Sequence, residues 1–128
     1  MSSETDLESW LKFAESDRRA AESLFVSGDY SVCAEMCQHI LEKIIKALVI
    51  SQTGKRPPYE HNLKILADEV KGVAIPSRII DVLLKVSPHY RLARYPGFGD
   101  LSVYTHDYTQ GLLKDSIEVY EWFLQQIK

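Results

Sequence analysis

The chain has 128 residues, 45% of them apolar and 26% charged, with a formal net charge of −3 at pH 7. That length suits one domain with its own core, so residues 1–128 are read as a single domain of ordinary globular composition. The acidic balance excludes a general DNA coater, which needs a basic surface, and no apolar run approaches the roughly 18 residues of a membrane span.

The start, Met1 to Asp6, is polar and acidic, without signal-peptide character, and the chain is expected in the cytoplasm. A first helix is predicted from about Thr5 to Val26. Leu7, Trp10, Leu11, Ala14, Ala21, Leu24 and Phe25 recur at three- and four-residue spacing and form one apolar stripe. Asp17 and Arg18 interrupt it. A carboxylate there needs a partner or water, and a cation from the Arg91–Arg94 region is the expected partner. Gly28-Asp29 breaks the helix.

The second helix is predicted from about Tyr30 to Ser51. One face holds Tyr30, Cys33, Ala34, Cys37, Leu41, Ile44 and Leu48, and a second set, Met36, Ile40, Ala47 and Ile50, widens it. A helix this apolar is expected at the centre of a bundle. Cys33 and Cys37 are the only cysteines. They have no second ligand pair, so reduced core thiols are expected and no metal site is assigned. His39, Lys43 and Lys46 form a basic row. It reads either as a solvated face paired to Glu35 and Glu42 or as one wall of a cleft.

Residues 52–59 form a loop that Gly54 and Pro57-Pro58 keep out of helix. His61 or Asn62 caps a short third helix carrying Leu63, Leu66, Ala67 and Val70 and ending at Lys71-Gly72. Pro76 suits the first turn of a fourth helix with Ile79, Ile80, Leu83, Leu84 and Val86, interrupted at Ser87-Pro88. After a loop at 96–100, Thr105 to Ile127 reads as a long last helix with Leu112, Val119, Trp122, Phe123 and Ile127 inward. Gly111 weakens it and is read as room for close helix packing. No segment alternates as a strand. The expected fold is all-α, an up-and-down bundle of four to five helices. Surplus apolar surface on the second and last helices points to a homodimer.

Tyr90-Arg91-Leu92-Ala93-Arg94-Tyr95-Pro96-Gly97 concentrates the chemistry. Arg91 and Arg94, at i and i+3, share one helix face and offer forked donors to an anion; the alternative is that they satisfy helix-end carbonyls or acids. Tyr90, Tyr95 and Phe98 offer stacking faces for a base. Arg94 is taken as the principal phosphate anchor, with Arg91, Tyr95, His61, Lys43 and Lys46 as further nucleotide- or phosphate-binding candidates. His61 reads equally as a helix-start residue. His89 adjoins the arginine pair, and His106 reads as a surface residue. No phosphate-binding glycine loop and no paired acids of a nucleotidyltransferase are present, so no cofactor is expected and nucleotidyl transfer would belong to a partner.

In order along the chain come Trp10, Ala14-x-x-Asp17, Gly28-Asp29-Tyr30, Glu42-Lys43-x-x-Lys46-Ala47-Leu48, His61-Asn62-Leu63, Arg94-Tyr95-Pro96 and Trp122. In that series the chain resembles the HEPN domain family, and in particular its small prokaryotic members with an Arg-Tyr-Pro signature. The resemblance implies a four- to five-helix bundle that dimerises around a polar cleft. It implies a partner, a minimal nucleotidyltransferase, in a toxin–antitoxin-like pair. Other branches are metal-independent RNases with an Arg-x4–6-His motif near the start of the last helix. Here Arg94 and His106 are too far apart for that motif, and Arg56-x4-His61 lies in the wrong place. The expected role is therefore a non-catalytic partner binding nucleotide or RNA phosphate, with no catalytic residue assigned. A metal-independent endoribonuclease and a pure dimeric interaction module with structural arginines are the alternatives.

Overall fold

Asp6 starts the first helix by accepting the Glu8 N–H at 3.1 Å and the Ser9 hydroxyl at 2.8 Å. The structure, a computed structural model, describes residues 6–97 and 99–127; the expected start at Thr5 and the stacking role given to Phe98 lie outside the described residues. Helix α1 spans Leu7–Ser27. It ends because Gly28 takes φ +84°, a left-handed conformation open to glycine, which lets its N–H reach Phe25 O and the Asp29 N–H reach Leu24 O. Helix α2 spans Tyr30–Thr53 and closes in the same way on Gly54, at φ +69°.

Helix α3, Leu63–Ala67, is capped by Asn62, whose Oδ1 accepts the Lys64 and Ile65 N–H groups. The choice between His61 and Asn62 thus falls to Asn62, and the helix stops short of Lys71-Gly72. Helix α4, Ser77–Val86, begins directly after Pro76. The expected interruption at Ser87-Pro88 is present and is followed by a short α5, His89–Leu92. A 3-10 turn at Leu101–Val103 leads to α6, His106–Gln126, capped by the Thr105 hydroxyl oxygen, which accepts the Tyr108 N–H. No strand occurs among the described residues, and no described helix is long and apolar enough to cross a membrane.

Helix α2 is the axis of an all-α bundle, packed by α1 and α6 on its long sides and by α3, α4 and α5 elsewhere. Ile40, Leu41, Ile44, Ile45 and Leu48 are fully buried against Phe123, Leu112 and Val119 of α6, Ala14 and Ala21 of α1, and Leu63, Leu66, Ile79 and Leu83 of the short helices. The apolar surplus that the sequence assigned to an intermolecular face on α2 is thus largely covered by the chain's own helices. Cys33 and Cys37 are buried free thiols, Cys33 donating to Ala21 O at 3.3 Å.

Two further expectations change. A Cβ on Gly111 would meet nothing within 4 Å, so this glycine does not serve close helix packing. Asp17 is paired, but with Lys43 across the α1–α2 contact and not with the arginines near residue 90. Lys43 and Asp17 sit on adjacent antiparallel helices, whereas Arg94 meets Glu35 and the Tyr90 ring.

Candidate functional site

The break at Ser87-Pro88 redirects the chain so that α5 packs on α2 and carries Tyr90 there. Tyr90 is the platform of the site. The His61 imidazole stacks on it with ring centroids 4.0 Å apart and planes 14° apart. The Arg94 guanidinium lies 4.5 Å from its centroid and 5.4 Å from that of Tyr95. The Tyr90 hydroxyl is 3.0 Å from His61 Nε2. Because the planes are nearly parallel, that oxygen lies over the imidazole face and not along the in-plane direction of Nε2. The contact is a stack first and a hydrogen bond second.

The other imidazole nitrogen, Nδ1, is 3.0 Å from Glu42 Oε1. Glu42 also accepts Gln38 Nε2 at 3.1 Å and Lys46 Nζ at 2.9 Å. Burial pushes the Glu42 carboxyl up, but hydrogen bonds from His61, Lys46 and Gln38 outweigh it and hold the group below its ordinary range. Gln38 donates in addition to His61 O at 2.9 Å, which ties the loop before α3 to α2. Two turns toward the start of α2, Glu35 Oε2 is 3.4 Å from Arg94 Nε and 3.4 Å from His39 Nε2. His39 Nε2 is buried and has no hydrogen-bond partner among the described residues. Glu35 and Glu42 of α2 thus stand among Lys46 of α2, Arg94 just past α5 and the imidazoles of His39 and His61.

The structure brings Arg94, Tyr95 and His61 together around Tyr90, and Lys46 joins them through Glu42. Lys46 has a side chain only 6% exposed, its ammonium 5.9 Å from the Trp10 ring. It balances Glu42 and does not form the solvated face that the sequence allowed. Lys43 is turned away to Asp17 and to the Phe13 ring at 5.8 Å. Arg91 lines an open groove of about 630 Å³ with Glu60, His61, Ile65, Leu84 and Tyr90. Sequence reasoning took Glu35 and Glu42 only as surface partners of a basic row. Their joint role in the site follows from α5 docking over α2, which no local spacing encodes.

The remaining histidines lie outside this cluster. His106 contacts the Phe25 and Tyr30 rings and Asp107. His89 is buried between the Tyr104 and Tyr108 hydroxyls, at 2.7 and 2.9 Å. Arg56 of the formal Arg-x4-His match stacks on Tyr59 at 4.8 Å. No group of three or more metal-ligating side chains occurs among the described residues.

The HEPN domain model matches residues 7–127. Among solved structures, TT1696 from Thermus thermophilus is similar with a TM-score of 0.86 and 18% identity, covering 94% of this chain and 97% of that one. ST0689, an archaeal HEPN homologue, has a TM-score of 0.78 and 24% identity, with 95% and 98% covered. No curated protein matches.

Proposed function

This chain belongs to the HEPN domain family, and from that premise we propose that it is a non-catalytic partner of a minimal nucleotidyltransferase, with a polar cleft that binds the phosphate of a nucleotide or RNA. One observation carries the phosphate reading. The Arg94 guanidinium is held against the faces of Tyr90 and Tyr95 while a carboxylate, Glu35, stands 3.4 Å from its Nε. A carboxylate oxygen is the chain's own stand-in for a phosphate oxygen, and a stacked guanidinium is preorganised for either.

Titration of AMP and of a short RNA against wild type and Arg94→Ala tests this reading. Binding should weaken with salt and be lost in Arg94→Ala without loss of fold. An Arg94→Ala chain that unfolds early, with no ligand bound by wild type, leaves Arg94 a purely structural residue and favours the interaction module. The nucleotidyltransferase partnership rests on the family resemblance, and co-purification from the native host tests it. Two copies are expected to associate, an expectation that rests on the family resemblance. Light scattering should give roughly twice the 14.6 kDa chain mass, and a monomer at all concentrations would remove the dimer.

A second reading, a metal-independent endoribonuclease, draws on the Glu42-oriented His61 beside Arg94, a base and a charge stabiliser in one cluster. RNA incubated in EDTA should stay largely intact. Robust cleavage that disappears in His61→Ala would reverse the order of the two readings.

A further inference from the structure

We propose that the groove between α3 and α5 is the base-binding half of the nucleotide site, and that it selects a purine, guanine ahead of adenine, through Glu60. The phosphate half of this proposal rests on the Arg94 reading above; the base half stands on the groove itself.

The groove's volume of about 630 Å³ falls within the roughly 300–1,000 Å³ of small-molecule sites. Its apolar surface includes Ile65 and Leu84, large aliphatic side chains 49% and 54% exposed. The His61–Tyr90 stack contributes an aromatic wall. An apolar surface beside an aromatic wall suits a planar base.

The polar atoms around the groove have defined remaining capacity. Glu60 Oε2 accepts both the His61 N–H at 3.1 Å and the Asn62 N–H at 3.0 Å, which fixes the carboxylate, while Oε1 takes no hydrogen bond among the described residues. Asn62 uses its Oδ1 to cap α3, leaving its amide N–H groups to donate. The Ser87 oxygen accepts the Leu63 N–H at 3.0 Å, leaving its own proton to donate. The groove therefore offers a fixed anionic acceptor, the neutral donors of Asn62 and Ser87, and the Arg91 guanidinium in its lining. Guanine presents two adjacent donors, N1–H and the 2-amino group, which the two lone pairs of Glu60 Oε1 can accept together, and an acceptor, O6, to an amide or hydroxyl. Adenine presents one amino donor at such an edge. Tyr90 belongs to both halves, lining the groove and supporting Arg94 at 4.5 Å, so a base in the groove and a phosphate at Arg94 are neighbours across one side chain.

Guanosine, GMP, AMP, ribose 5-phosphate and inorganic phosphate, each titrated into the full chain and followed by amide NMR shifts, separate the two halves. Guanosine should shift Ile65, Leu84 and Tyr90 without any phosphate, and GMP should bind about tenfold more tightly than AMP. Glu60→Gln should abolish that preference. Because Glu60 also holds the loop, Leu84→Lys supplies a second arm from an exposed helical position. It should weaken guanosine and GMP while leaving inorganic phosphate unchanged. Ribose 5-phosphate binding as tightly as GMP, with guanosine silent, overturns the groove and leaves the Arg94 reading intact. Guanosine binding with both simple phosphates silent does the reverse. No shift with any of the five overturns both.

Discussion

His61 and Tyr90, 29 residues apart, lie ring on ring with centroids at 4.0 Å, and the Tyr90 ring also supports the Arg94 guanidinium. Both contacts rest chiefly on the ring, the hydroxyl adding only its approach to His61 Nε2 at 3.0 Å. Tyr90→Phe should therefore cost under about 0.5 kcal/mol and leave anion binding near wild type, whereas Tyr90→Ala should cost about 1–2 kcal/mol and weaken binding with it. Urea midpoints and AMP titrations on both variants check this. Equal loss in the two would make the hydroxyl contact with His61 Nε2 the important one.

Asp17 and Lys43 form an ion pair between α1 and α2 whose side chains are 18% and 25% exposed. The pair is half-buried, so its worth lies between that of a surface bridge and a buried one, about 1 kcal/mol. A double-mutant cycle with Asp17→Asn and Lys43→Met should return a coupling energy of that size. Coupling indistinguishable from zero would mean that water satisfies both groups.

The helices were largely legible because their signals are local. Gly28 and Gly54 stop α1 and α2 through left-handed conformations, Asn62 and Thr105 cap α3 and α6 through short polar side chains, and the doubled apolar face of α2 marks it as the axis. His39–Glu35 and Lys46–Glu42 also follow from i, i+4 spacing. The site was legible only in part. Arg94 and His61 stand out by type, and Tyr90 by its i, i+4 spacing to Arg94, but Glu35 and Glu42 join them only once α5 folds back over α2, a tertiary event set by Ser87-Pro88. The partner of Asp17 was missed for the same reason, since Lys43 comes within reach only when α1 and α2 pack antiparallel. Gly111 was misread because a helical glycine looks the same in sequence whether or not a neighbour approaches it.

That glycine gives a stabilising substitution. Gly111 lies inside α6 and an added methyl group meets no atom within 4 Å. Gly111→Ala should raise stability by about 0.5–1 kcal/mol through the backbone entropy of the unfolded chain. A lowered thermal midpoint would mean that another molecule approaches α6 at this point.

Glu35 stands where a bound anion must compete for Arg94. Glu35→Gln removes the competing charge and keeps the shape, so phosphate and AMP should bind several-fold more tightly, a gain of about 1 kcal/mol. Calorimetric titration decides the matter. Unchanged or weaker affinity would show that Glu35 orients Arg94 for its ligand instead of blocking it.

His89 supplies the pH dependence. Its ring is buried against Tyr104 and Tyr108, and burial, followed by the charge of Lys85, pushes its pKa below the ordinary 6.5. A histidine whose folded value is depressed takes up its proton first in the unfolded chain. Its neutral form therefore contributes stability that is complete above about 6.5 and declines as pH falls below it. Carboxylates act lower on the scale. Glu15, held down chiefly by its hydrogen bond from Arg18, and Glu42 lose their contributions only as pH falls below about 4.5. The wild-type urea midpoint should thus decline in two stages, one below pH 6.5 and one below pH 4.5. His89→Gln should be less stable at pH 7.5 but lack the first stage and keep the second. A first stage that persists in His89→Gln would overturn the assignment to His89.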